Sequence, residues 1–278
     1  MTDLTNVPTP VPEPTGTSKI PELAIETRGL TRRFGSSLAV DHLDLAVPTG
    51  CFLGFLGANG AGKSTTIKML TGLLEPTEGR ARILGHDLAQ DPTEAKRAIG
   101  VVPEDLALHD RLTGTEYLTF VGRMYGMSGE TIAARVTELL HWMDLDKAPG
   151  KLIVDFSHGM KKKLALAAAL IHDPKLLFLD EPFEGIDVIA SSQIRDLLSS
   201  LLERGVTIFL TSHVLEIVEK LCTHVTIIHE GKLVANGSLE EMRRGVDDST
   251  GRRRTLEEIF LELVDADPNG TPLLSWMH

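Results

Sequence analysis

The sequence predicts an α/β fold with a core of parallel strands, and three observations carry that expectation. The apolar run "CFLGFLG" (residues 51–57) passes through a Gly-rich loop into the helical pattern "KSTTIKMLTGLL" (63–74). In "KLLFLDEP" (175–182) residues 176–179 are continuously apolar, as a parallel strand covered on both faces requires. Between the two, apolar residues recur at helical spacing over a long stretch, so strands and helices alternate along the chain.

The composition bounds what such a fold can be. At 278 residues, 42% hydrophobic and 24% charged, the chain has room for one substantial core and a smaller subdomain. Its formal net charge of −11 speaks against general nucleic-acid binding, which rests on clustered lysine and arginine; Arg252-Arg253-Arg254 reads as a solvated turn. Cys51 and Cys222 lie far apart without metal-ligand spacing, and read as two small core residues of a protein in a reducing cytosol. The longest apolar run, residues 164–171, falls well short of the roughly 20 residues that span a bilayer. The opening "MTDLTNVPTPVPEPTGTSKIPE" shows neither a basic nor an apolar leader segment, and its prolines and small polar residues predict a disordered tail over residues 1–22. No internal repeat is visible, so residues 23–245 are expected to form one unit, followed by a C-terminal helix and tail over 246–278.

Taken in order, the first element with chemical content is the loop after residues 51–57. Gly57-Ala58-Asn59-Gly60-Ala61-Gly62-Lys63-Ser64 matches G-x-x-x-x-G-K-[ST], the phosphate loop of nucleoside triphosphatases, in the strand–loop–helix context it needs. Glycines let the backbone turn its N–H groups inward, and the following helix start adds partial positive charge. Lys63 is expected on the β- and γ-phosphates and Ser64 on Mg²⁺, with Asn59, Gly60, Gly62 and Thr65 completing the cradle. A plain glycine turn before a helix would need neither the lysine nor the serine.

Two helical stripes follow. Tyr117, Leu118, Val121, Met124 and Tyr125 form one, and Ile132, Val136, Leu139, Leu140 and Met143 the other, both expected in the core. Asp180 and Glu181 then stand at the carboxyl end of the apolar strand, where ligands bind in parallel sheets. Asp180 can hold Mg²⁺ through water, and Glu181 can orient and deprotonate an attacking water. The strand "VTIFL" (206–210) leads to His213, placed to touch a γ-phosphate. "HVTIIHEGKLVANG" (224–237) reads as two strands about a Glu-Gly turn.

With "DFSHGMKKKLALAAALIHDPKLLFLDEP" and "EGID" (184–187) added, the order and spacing of these stretches resemble the ATP-binding subunits of ABC transporters over residues 24–240. That resemblance implies an N-terminal antiparallel β region and an inserted helical subdomain at about residues 105–165. It places Phe34 against adenine, Glu104 as a further Mg²⁺ ligand, and Ser157 and Gly159 on the γ-phosphate held by another subunit. Asp187 would contact the partner's site, and Glu181 and His213 would act on the bound nucleotide. The cofactors implied are ATP and Mg²⁺. The partners implied are a second copy or a paralogous ATPase subunit and a separate transmembrane permease, at the cytoplasmic face of the membrane. The ending "TLEEIFLELV" (255–264) is most similar to bacterial export systems with a separate membrane chain.

Two departures from the family pattern stand out. Glu104 replaces the usual glutamine, an acceptor-only group beside Mg²⁺ that keeps metal ligation and loses donation to water. "FSHGMK" (156–161) stands where LSGGQ-like residues are usual, keeping Ser157 and Gly159 but introducing His158 and Met160. Lys161-Lys162-Lys163 read as a basic face, at least two of them solvated. Two rival readings are a non-transport ABC ATPase acting on DNA or ribosomes and a weakly hydrolysing regulatory module. The first usually needs long coiled-coil insertions or two units in one chain; Lys63, Asp180, Glu181 and His213 argue against the second.

Overall fold

Three strands of five residues each, β4 (Phe52–Leu56), β8 (Leu176–Asp180) and β9 (Thr207–Thr211), have every residue buried. This is the burial that a continuous apolar run demands when a sheet is covered on both faces. The structure, a computed structural model, describes residues 22–147, 149–244 and 255–264. The tail expected before Glu22 and the Arg252-Arg253-Arg254 turn lie outside the described residues.

The chain begins with β1 (Leu23–Phe34), β2 (Ser37–Leu43) and β3 (Ala46–Pro48), then passes through β4 and the Gly-rich loop into α1 (Lys63–Leu70). Next come β5 (Glu78–Ile83), β6 (His86–Asp87), α2 (Pro92–Arg97) and β7 (Ile99–Val102). The helices α3 (Gly114–Met124) and α4 (Gly129–Trp142) and a 3₁₀ turn at Ile153–Asp155 lead to α5 (His158–Leu170) and β8. After β8 follow α6 (Val188–Glu203), β9, α7 (Leu215–Leu221), β10 (His224–His229), β11 (Lys232–Ser238), α8 (Leu239–Arg244) and α9 (Leu256–Val264).

These strands make two sheets. The larger has the order β11-β10-β4-β9-β8-β7 and is parallel apart from the β10–β11 hairpin. The smaller, β2-β1-β5-β6 with β3 also on β1, is antiparallel throughout, as expected for the N-terminal region. Alternation sends successive side chains of the central strands to opposite faces. Leu53, Phe55, Phe178 and Phe209 pack with Ile25, Leu30 and Val40 of the small sheet and Ile67 of α1. Phe52, Leu56, Leu177, Leu179, Ile208 and Leu210 pack on the other face with α3, α4, α5 and α6. The rings of Phe55, Phe209 and Phe178 form a tilted row, with centroids 5.1 and 5.3 Å apart.

The inserted helices follow their sequence signals closely. Thr113 and Glu116 form a reciprocal capping box on α3, and Ser128 caps α4 by accepting from Thr131 N–H. Ile132, Val136, Leu140 and Met143 are buried as the second stripe requires. The first stripe needs correction. Leu118 is fully buried, but Met124 is 72% exposed and Tyr125 39% exposed, because α3 ends there and its last turn leaves the core. The helix expected over 63–74 is also shorter than its pattern. α1 stops at Leu70, where Gly72 at φ +66° lets Leu73 N–H reach the Lys68 carbonyl and Gly72 N–H that of Met69. That double bond pattern terminates a helix whatever apolar residues follow.

Because Phe209 sits in the ring row at the centre of the parallel sheet, Phe209→Ala should cost about 3–5 kcal/mol of stability. Urea unfolding followed by circular dichroism should show a lower midpoint with an unchanged slope.

Candidate functional site

The parallel pairing of β4, β9 and β8 sets their carboxyl ends side by side. Phe55 is in register with Thr211, and Thr211 with Asp180. The Gly-rich loop after β4, the acidic pair at the end of β8 and His213 beyond β9 therefore leave the sheet at one edge, where parallel sheets bind ligands.

On the loop side, Gly62 caps α1 with φ +105°, and a Cβ there would lie 2.5 Å from the Ala39 carbonyl oxygen. Only glycine fits that turn against β2. No side chain caps α1 and its first turn carries no acid, so its N–H groups face outward as an anion site. The Lys63 side chain is buried, and its ammonium donates to the carbonyls of Gly57 at 2.8 Å and Ala58 at 3.3 Å. It thus crosses the mouth of its own loop.

The acidic side is more tightly tied. Thr211 Oγ1 donates to Asp180 Oδ1 at 2.5 Å and accepts from Glu181 N–H at 3.1 Å. Glu181 has φ +47°, an uncommon conformation for a residue with a Cβ. His213 Nδ1 lies 3.0 Å from Glu181 Oε2, and the Lys162 ammonium donates to the Glu181 carbonyl at 2.9 Å. Ser64 Oγ donates to Glu104 Oε2 at 3.5 Å, bringing the serine after Lys63 to the residue that replaces the family's glutamine.

A cleft of about 440 Å³ is lined by Asn59, Gly60, Gly62, Lys63, Ser64, Thr65, Glu104, Glu181, Glu184 and His213. Eight of the expected residues and one expected base therefore share a single cavity with Glu184, while Asp180 lies buried behind Glu181. Among the described residues no three His, Cys, Asp or Glu side chains converge to hold a metal by themselves. Ser64, Glu104 and Asp180 are all hard oxygen donors, the set Mg²⁺ prefers when waters and phosphate oxygens complete its octahedron. The residues present fit that ion.

Ser157, Gly159 and Asp187 form a second group, which does not line this cleft. Ser157 caps α5 by accepting from Met160 N–H at 3.2 Å. Asp187 caps α6 by accepting from Ala190 N–H at 2.9 Å, and this bond holds its carboxyl below the usual range. The two caps are neighbours, since a Cβ on Gly159 would lie 3.9 Å from Asp187 Oδ2. The His158 ring packs against Gly185 between them. Phe34, half exposed at the end of β1 with the Arg32 guanidinium 4.5 Å from its ring centre, is neither in the core nor on the cleft.

Three residues were missed or misread. Of the lysine run only Lys162 departs from a basic outer face, being buried; Lys161, 3.5 Å from Asp110, and Lys163, which donates to Gln193 Oε1 at 2.5 Å, stay partly exposed. The spacing carried the signal, because Lys162 shares the inward face of α5 with Ala165, Leu166 and Ala169. Glu184 stands in "EGID" and Thr211 between the strand at 206–210 and His213, and neither carries a local signal of its place in the site.

A family model described as "ABC transporter" matches residues 40–184. The chain is 41% identical to the bacitracin transport ATP-binding protein BcrA of Bacillus licheniformis over 255 residues, 91% of this chain and 79% of that one. It is 39% identical to the daunorubicin/doxorubicin resistance ATP-binding protein DrrA of Streptomyces peucetius over 234 residues, 84% of this chain and 71% of that one. The solved structure of an ATP-binding subunit of an ABC transporter superposes with a TM-score of 0.79 at 32% identity, covering 86% of this chain and 99% of the other. A dimeric ATP-binding cassette bound to ADP and phosphate superposes with a TM-score of 0.71 at 25% identity, covering 77% and 98%. Fold, loop and strand-end chemistry agree with these likenesses, and the chain belongs to the ABC transporter family as an ATP-binding subunit.

Proposed function

We propose that this chain is the ATP-hydrolysing motor of a transporter, closing with a second copy or a paralogous subunit around two MgATP and driving export through a separate transmembrane permease. The observation that carries the reading is the meeting of Lys63, Ser64, Glu104, Glu181 and His213, from four separate segments, in one cleft. In this reading the bound nucleotide with Mg²⁺ supplies the phosphoryl group and the charge that the oxygen donors balance. The loop N–H groups and Lys63 grip the phosphates, while Ser64, Glu104 and Asp180 hold the ion. Glu181 would take the proton from water, and His213, hydrogen-bonded to it, would fix its orientation and contact the γ-phosphate. Thr211 holds the Asp180 carboxylate and the Glu181 backbone at the strand end.

Ser157, Gly159 and Asp187, grouped away from the cleft, would complete the site of a facing subunit. Val188 and Ile189, 81% and 74% exposed beside Asp187, support a covered surface there. The dimeric ATP-binding cassette supports the paired arrangement, and the relatives named for bacitracin transport and for daunorubicin/doxorubicin resistance support a transport role. Residues 23–245 would form the ATPase domain, with α3, α4 and the start of α5 as its helical subdomain. No described helix is long and apolar enough to cross a membrane. An apolar groove of about 360 Å³ includes Leu73, Leu106, Leu108, Tyr117, Val121 and Tyr125 in its lining, a fitting seat for a permease at the cytoplasmic face.

Three outcomes test this reading. Glu181→Gln should retain ATP and lose turnover by roughly 10²–10⁴-fold, whereas Lys63→Ala should lose ATP binding itself; equal loss of affinity in both would overturn the division of roles. Ser157→Asp keeps an N-cap acceptor on α5 but sets a negative charge against phosphate. In the Glu181→Gln background it should abolish the MgATP-dependent dimer on size-exclusion chromatography, and a persisting dimer would count against shared sites. Leu108→Asp should leave the isolated ATPase within about threefold of wild type and remove copurification with the permease, because an unpaired charge in an apolar contact costs several kcal/mol. Collapse of the isolated ATPase would instead place Leu108 in the core.

A further inference from the structure

Glu181 is held by more contacts than a base at a strand end requires. Its N–H is taken by Thr211 and its carboxylate by His213, yet its backbone sits in the left-handed region at φ +47°. Such a conformation persists where surrounding structure over-determines it. The remaining group, the carbonyl, accepts from the Lys162 ammonium at 2.9 Å and, at a longer 3.3 Å, from Glu184 N–H.

Lys162 is an unusual residue to spend on a backbone carbonyl. It is 2% exposed on the inward face of α5, which it shares with the buried Ala165, Leu166 and Ala169, and burying an ammonium there is costly without compensation. Burial pushes its pKa down, and the carboxylates of Glu184, Glu104, Glu181 and Asp180 oppose that shift. Neighbouring lysines do otherwise: Lys161 reaches Asp110 at the surface and Lys163 reaches Gln193 on α6.

We propose that Lys162 is a positioning residue for hydrolysis, fixing the Glu181 backbone through its carbonyl and thereby tying the base to the helix whose first turn carries Ser157 and Gly159. A displacement of α5 would then move Glu181 directly, without passing through the nucleotide. The assignment rests on the reading of Glu181 as the base. A methionine of similar length cannot donate to the carbonyl, whereas glutamine and arginine can.

The test measures ATP hydrolysis and nucleotide affinity in Lys162→Met, Lys162→Gln and Lys162→Arg, alone and combined with Glu181→Gln. Lys162→Met should lower kcat by about ten- to a hundredfold, while affinity for ATP stays within about threefold. At least one of the donor-keeping variants should recover most of that loss. In the Glu181→Gln background Lys162→Met should change the residual rate by less than about twofold, since two residues acting as one unit are not additive. Wild-type kcat in Lys162→Met, a parallel loss of ATP affinity, additive losses, or no recovery by either donor would each overturn the assignment. Failure of all three variants to fold, with Glu181→Gln folded, would make Lys162 a core residue and overturn it as well. Undiminished turnover in Glu181→Gln alone would sink the reading of Glu181 as base, an outcome separate from every Lys162 measurement.

Discussion

Everything at the nucleotide edge depends on the in-register parallel pairing of β4, β9 and β8. Phe55, Thr211 and Asp180 end level with one another because the three strands run in the same direction and pair in register. A slip of one residue in β9 would turn Phe209 out of its ring row and carry the Thr211 hydroxyl to the wrong face. The apolar packing that sets the register and the hydrogen bonds that set the chemistry are therefore one specification.

Charge gives the same edge its second constraint. Four carboxylates, Asp180, Glu181, Glu104 and Glu184, gather about Lys63 and Lys162, and both lysines are buried. Each lysine neutralises some of that charge while bonding to backbone carbonyls, Lys63 within its own loop and Lys162 at Glu181.

Much of the fold was legible because its signals were local. The phosphate loop is contiguous, the central strands are unbroken apolar runs, and the caps of α3 and α4 lie within three residues of the groups they satisfy. The small antiparallel sheet was expected from resemblance alone, since its exposed positions blur the alternation a strand pattern needs. In the site, Lys63, Ser64, Glu104, Glu181 and His213 were named from motif and family likeness. Thr211 escaped because Asp180 is distant in sequence and meets it only across adjacent strands, and Lys162 because its burial shows in the spacing of α5 while its partner, the Glu181 carbonyl, does not. Met124 and the end of α1 misled for the opposite reason, an apolar pattern that continues after the backbone has already turned away.

The central place of β9 bears on how the chain is made. β9 is synthesised after β4 and β8 but lies between them. Until Thr207–Thr211 leaves the ribosome, those two earlier strands each lack their shared neighbour. The nascent chain then shows two apolar strand edges, the kind of surface that recruits chaperones or other nascent chains. It also lacks Thr211 and His213, so the loop, already translated, meets no completed partner across the sheet. The strand-end edge is therefore completed late, when β9 docks between two strands already made.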